Sequence, residues 1–178
     1  MAKQDSGHKP FEWADLGDMG VGRPNLGPTV PVQVYRLLQY TWRDAMVDEL
    51  GVEKANQLIV EAGRRAGKQF CENLLDRNLG FNEFVAQLQE TLKELSIGIL
   101  RVEQADVESG TFTLTVSEDL DCSGLPFLDG TVCQYDEGFL GGVLSAYAGK
   151  PFQAKEIDCW ASGDRVCRFA ITPLGGEE

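Results

Sequence analysis

The chain reads as an α+β domain in which helices come first and pack on one face of an antiparallel sheet. Three observations predict this. Apolar residues recur at three- and four-residue spacing from Pro31 to Leu95, two-residue alternation takes over after Ile97, and turns at Gln104–Gly110 and Ala161–Asp164 fold the later segments into hairpins.

The elements follow in order. Residues 1–30 hold Gly7, Gly17, Gly20, Gly22, Gly27, Pro10, Pro24 and Pro28 without a sustained period, and read as an arm that Phe11, Trp13 and Leu16 can pin down. Residues 31–178 then form a single domain. Its first helix, Pro31–Leu50, carries one stripe of Val34, Leu37, Leu38, Thr41, Ala45 and Met46, with proline at its start and Gly51 at its stop. A second helix, about 53–77, aligns Ala55, Leu58, Ile59, Ala62, Ala66, Phe70 and Leu74. Gly63 and Gly67 cost it helix propensity, so close helix–helix approach is the expected return. The third helix, about 82–95, runs through Val85, Leu88, Leu92 and Leu95. Strands Ile97–Val102 and Thr111–Val116 form the first hairpin. A short helix of about 137–148 follows, with Asp136 as N-cap, Gly149 as stop, and Gly138, Gly141 and Gly142 for close backbone packing. The second hairpin pairs Pro151–Trp160 with Arg165–Thr172.

Composition narrows the function classes. At 178 residues the chain can bury a core without disulfides. It has no run of the ~18–20 apolar residues that cross a bilayer. Lys3, Gln4, Asp5, His8 and Lys9 interrupt any signal-peptide core, so a cytoplasmic location is expected. The net charge of −12 opposes nucleic-acid and anionic-membrane binding, since both need a basic footprint. Arg64, Arg65 and Lys68 form the one basic cluster, on a helix among acidic neighbours. Five cysteines, an odd number without a secretion signal, argue against a disulfide framework.

The chemistry concentrates in Cys133, Glu156, Cys159 and Cys167, spaced C-x22-E-x2-C-x7-C. Cys159 and Cys167 flank the last turn and sit near cross-strand positions. Glu156, three residues before Cys159, falls on the opposite face of an ideal strand, and joins them only if the strand bends or ends there. Three thiolates and a carboxylate would fill a tetrahedral zinc shell and leave no open position, which makes such a site structural. Lys155, Arg165 and Arg168 are placed to offset its negative charge. Spacing alone leaves two further readings open, namely buried apolar thiols and a reversible Cys159–Cys167 disulfide.

These residues resemble the 4-vinyl reductase domain family, which is related to the aromatic-sensing input domains of bacterial transcription activators. The likeness lies in LGDMGVGRPNL (Leu16–Leu26), VQVYRLL (Val32–Leu38), AGRRAG (Ala62–Gly67), SIGIL (Ser96–Leu100), CSGLP (Cys122–Pro126), CQYDEGFLGGVL (Cys133–Leu144) and EIDCWASGDRVCRF (Glu156–Phe169). It implies a fold like the NO-signalling and Golgi-transport ligand-binding domains, zinc held by Cys133, Glu156, Cys159 and Cys167, and dimerisation through the N-terminal helices. It also implies a buried apolar pocket for a small hydrophobic molecule, with Phe112, Phe139, Gly142, Tyr147 and Trp160 as lining candidates. The sequence departs from the phenol sensors in one respect. Their pocket histidine is missing, His8 in the arm being the only histidine, and Phe112 falls where their tryptophan is expected. A more apolar ligand than phenol, or no ligand, is the expectation, and the same lack argues against haem. The expected function is a non-catalytic sensor module acting through a separate output protein. One alternative is a thiol redox sensor in which Cys122, outside the metal site, resolves a disulfide. Another is an accessory factor or reductase in tetrapyrrole metabolism, although no dinucleotide or flavin signature accompanies it.

Overall fold

The computed structural model describes residues 9–175; residues 1–8, with Lys3, Gln4, Asp5 and His8, and 176–178 lie outside the described part. After a 3-10 turn at Trp13–Leu16 and a short helix α1 (Met19–Gly22) come α2 (Val32–Leu50), α3 (Val52–Leu74) and α4 (Phe81–Glu94). Strands β1 (Ile99–Asp106) and β2 (Thr111–Ser117) lead into helix α5 (Gln134–Ala148), and β3 (Phe152–Asp158) and β4 (Cys167–Pro173) close the chain. The four strands form one sheet, ordered β1-β2-β4-β3, with antiparallel neighbours throughout. The α+β expectation holds. Among the described residues no helix is long and apolar enough to cross a membrane.

One sheet face is apolar because alternate residues of three strands point the same way: Phe112, Leu114 and Val116; Phe152 and Ala154; Cys167, Phe169 and Ile171. Register sets Leu114 opposite Phe169 and Val116 opposite Cys167. Phe84, Leu88 and Leu92 of α4 and Phe139, Leu140, Val143 and Leu144 of α5 complete this core. Each such side chain contributes about 1.5–3 kcal/mol on burial.

The glycines expected to bring helices together do so reciprocally. A Cβ at Gly63 or Gly67 of α3 would collide with the carbonyl oxygen of Tyr135 or Phe139 on α5. One at Gly138 or Gly142 of α5 would collide with that of Val60 or Arg64 on α3. Gly141 faces the β3 backbone instead, 3.1 Å from the Phe152 carbonyl oxygen at its notional Cβ.

Three expectations are corrected. α5 starts one turn early, with Cys133 rather than Asp136 as N-cap, because the Cys133 amide is already bound by a side chain of β3. β1 runs past Val102 to Asp106, through a bulge at Glu103. The third correction concerns α2, which buries none of its residues. Its polar side docks on the molecule, through Tyr35, Arg36, Tyr40 and Arg43. The apolar stripe of Val34, Leu37 and Leu38 faces outward. The arm is tied to α3 by the Trp13 amide, which donates to Gln69 Oε1 at 2.9 Å.

Candidate metal centre

Four cysteines from three segments meet at the end of the sheet. Cys122 comes from the loop after β2, Cys133 from the N-cap of α5, and Cys159 and Cys167 from the β3–β4 hairpin. All four are buried, and their Sγ atoms lie within 4.8 Å of one another. Local chemistry fixes each. Asp119 Oδ1 accepts from the amides of Asp121 at 2.7 Å and Cys122 at 3.1 Å, an Asx turn that aims Cys122 inward. The Cys159 carbonyl accepts from the amides of Ser162 and Asp164, both at 3.1 Å, and Gly163 at φ 102° turns the chain back toward Cys167.

The strand bends where Glu156 needs it to. The β3–β4 register shifts between Glu156 and Asp158, leaving Ile157 as an outward bulge. The extra residue resets the alternation, so Glu156 and Cys159 turn to the same buried face. Glu156 Oε2 accepts from the Cys133 amide at 3.0 Å, while Oε1 is buried with no hydrogen-bond partner among the described residues. Glu137 Oε1 holds the Glu156 amide at 2.9 Å. Burial pushes the Glu156 carboxyl up to about 8.

Two of the sulfur–sulfur distances suit a tetrahedral cation, and a third is shorter. At a Zn–S distance of about 2.3 Å, ligand sulfurs lie about 3.8 Å apart. Cys133 Sγ is 3.9 Å from Cys159 Sγ and 3.8 Å from Cys167 Sγ; Cys122 and Cys167 are closer, at 3.0 Å. Neighbouring thiols cannot all ionise without counter-charge. Contacts with Cys122, Cys133 and Cys167 hold Cys159 far below its usual range, and contacts with Cys122, Cys159 and Cys167 drive Cys133 up. Four close cysteines of this kind can hold a metal ion.

Cys122 therefore joins the cluster, against the expectation that it stands outside. Its signal in the sequence was only a cysteine in a turn-rich loop. Two of the three cations expected nearby are engaged elsewhere. Lys155 donates to Glu137 Oε1 at 2.7 Å, and Arg168 pairs with Asp158 and forks onto Glu103 at 2.8 and 3.1 Å. Arg165 is exposed.

The five pocket candidates do not line one cavity. Phe112 stacks on Phe81 at 5.0 Å inside the core, and Tyr147 stacks on Phe84 at 3.9 Å and donates to the Leu79 carbonyl at 3.0 Å. Gly142 abuts the Arg64 carbonyl, and Trp160 sits 38% exposed on the hairpin turn. Phe139 alone borders the larger opening. This is a cleft of about 690 Å³ among the arm, α2, α3 and α5, walled by Trp13, Tyr35, Trp42, Phe70, Tyr135 and Phe139. Asp121 and Asp136 reach it, each with a buried Oδ2 that has no partner among the described residues. Burial, then Asp119 beside it, pushes Asp121 up to about 6. Sequence reasoning missed this cleft because its walls come from four separated segments.

Comparison with known proteins agrees with the family resemblance. Residues 112–173 match the vinyl-4-reductase (V-4-R) domain. An uncharacterized protein of Methanocaldococcus jannaschii is 25% identical over 167 residues, covering 92% of this chain and 89% of its own. Among solved structures, the phenol-responsive sensory domain of the transcription activator PoxR with phenol is similar at TM-score 0.63 and 18% identity. The match covers 82% of this chain and 75% of that one. A trafficking protein particle complex subunit 3 from Naegleria fowleri, covalently bound to palmitic acid, superposes at TM-score 0.66 and 10% identity, over 81% of this chain and 95% of that one. At these identities the two structures establish the fold.

Proposed function

We propose that this chain, whose residues 112–173 match the vinyl-4-reductase domain, is a non-catalytic sensor module: a structural zinc ion braces the sheet, and the cleft beside it admits a small hydrophobic molecule. The convergence of buried thiols from three segments carries this reading. Cys133, Cys159 and Cys167 are three of the ligands. Glu156 supplies the fourth in the family arrangement, and Cys122 stands beside it as a second donor. Zinc closed in by four protein ligands supplies cross-linking rather than chemistry.

Aromatic walls favour an apolar, flat ligand, and the unpartnered oxygens of Asp121 and Asp136 favour one that donates a hydrogen bond there over one bearing a carboxylate. Because Tyr35 and Trp42 of α2 form part of the wall, occupancy would favour one position of that helix, a population shift. The outward stripe of α2 would pair with a second copy, giving a homodimer that signals to a separate output protein. The domain would span 31–178, with 1–30 as an arm of which Phe11, Trp13 and Leu16 border the cleft, in the cytoplasm.

Metal analysis of protein purified under reducing conditions without chelator tests the foundation. About one zinc per chain is expected, and a metal-free protein that is folded and reduced would remove it. Displacement of Nile red tests the cleft: a neutral hydroxylated aromatic should compete better than palmitate, and the reverse order refutes the assigned polarity.

A thiol redox sensor is the second reading, favoured by the 3.0 Å approach of Cys122 to Cys167. A peroxide-treated sample would then lose two thiols and its metal together. A tetrapyrrole reductase role has the family name as its only support.

A further inference from the structure

We infer that Cys122, and not Glu156, is the fourth metal ligand, and that through it the metal clamps the loop on which α2 is docked. The inference rests on the metal reading above and assigns a ligand and a coupling that it leaves open.

The donors outnumber the positions. A structural zinc takes four ligands, and five candidates surround this point. The set whose members are all mutually close is the four cysteines; Glu156 is not in it. Glu156 also has work elsewhere, since its Oε2 accepts from the Cys133 amide and so holds the N-cap of α5 against β3. Cys122 has no such second task. It is fully buried, its sulfur faces the other three, and the Asx turn of Asp119 holds it there. Charge does not choose between the donors, because four thiolates or three thiolates and a carboxylate leave the same total. Softness does, and it favours sulfur.

The consequence lies in what the loop carries. α2 also packs along α3, but most of the side-chain hydrogen bonds it makes to other parts of the molecule go to this segment. Arg36 Nε donates to the Leu120 carbonyl at 2.7 Å and Nη2 to the Ser123 carbonyl at 2.9 Å. The Tyr35 hydroxyl donates to Asp121 Oδ1 at 2.8 Å, and the Tyr40 hydroxyl to the Asp121 carbonyl at 2.9 Å. All four acceptors lie within two residues of Cys122. A metal bound by Cys122 would fix the loop's backbone, and with it the carbonyls that α2 needs. With Glu156 as ligand, the metal would bind β3, β4 and α5 together and leave the loop untouched.

Zinc K-edge X-ray absorption on the reduced, zinc-loaded wild-type chain decides the ligand without any variant. Four sulfurs are expected, and three sulfurs with one oxygen would overturn the inference. Hydrogen exchange then reads the coupling. Chelation of the wild type should lower protection of amides in α2, and in Cys122→Ser, loaded with zinc, α2 should already exchange at the chelated rate. Glu156→Gln keeps an acceptor for the Cys133 amide and should leave α2 protected when loaded. Full α2 protection in loaded Cys122→Ser would also overturn it. Should the wild type take up no zinc at all, the sensor reading itself fails, a separate result from zinc bound through oxygen.

Discussion

Cys71 and Cys122 are equally buried, yet one is a packing residue and the other faces three sulfurs. Cys71 sits near the end of α3, where burial pushes its thiol up to about 11. A cysteine held neutral among apolar neighbours acts as a small hydrophobe. Cys71→Ala should therefore leave the zinc content unchanged and cost roughly 1–2 kcal/mol in a denaturant titration, the range for a small cavity. Zinc lost from this variant would show that the cluster is not self-contained. At this scale, spacing singled out Cys133, Glu156, Cys159 and Cys167. It missed Cys122 because no periodic pattern says where a loop of turn residues folds back.

Among the elements, two devices bring the site together. The first is the bulge at Ile157. Without it, alternation would turn either Glu156 or Cys159 away from the cluster. Deleting Ile157 removes the bulge yet leaves Glu156 and Cys159 two residues apart, on one face of a regular strand, so stoichiometric zinc binding should persist; lost zinc would mean that the bulge sets the site by more than its register. The second is the glycine interlock between α3 and α5, which seats the α5 N-cap and so Cys133. Gly67→Ala drives a methyl into the Phe139 carbonyl with no flexible side chain to yield. A loss of about 1–3 kcal/mol is expected, with lower zinc affinity as α5 shifts. Calorimetry and chelator competition read both. The glycine pairs were legible as close-packing signals. The bulge was not, since the strand pattern contains no mark distinguishing Ile157 from a regular outward residue.

For the whole molecule, α2 is the element whose apolar stripe no described segment covers. Its polar side is docked and its apolar side is open, with Leu37 67% exposed. A second copy would cover that stripe. Leu37→Glu should convert a dimer into a monomer by analytical ultracentrifugation, with zinc retained; an unchanged mass would place the interface elsewhere. Metal removal is also felt at this scale, because an ion that binds only the folded state stabilises all of it. At free zinc 100-fold above its Kd the gain is about 2.7 kcal/mol, so chelation should lower the Tm by roughly 5–10 °C. A Tm indifferent to chelator would remove zinc from the stability of the fold.

Residue order was enough to set the α+β class, the succession of helices and strands, the glycine faces and the spacing that singles out Cys133, Cys159 and Cys167. Each of these is written in local periodicity or regular spacing. Folding in three dimensions was needed to bring Cys122 into the cluster, to make Ile157 bulge, to begin α5 at Gln134, and to turn the apolar side of α2 outward. It also filled the expected core pocket with Phe112 and Tyr147 and opened a cleft elsewhere. One cause underlies all five. Period and propensity say which residues share a face of one element, but which face meets a partner depends on contacts between segments far apart in the chain.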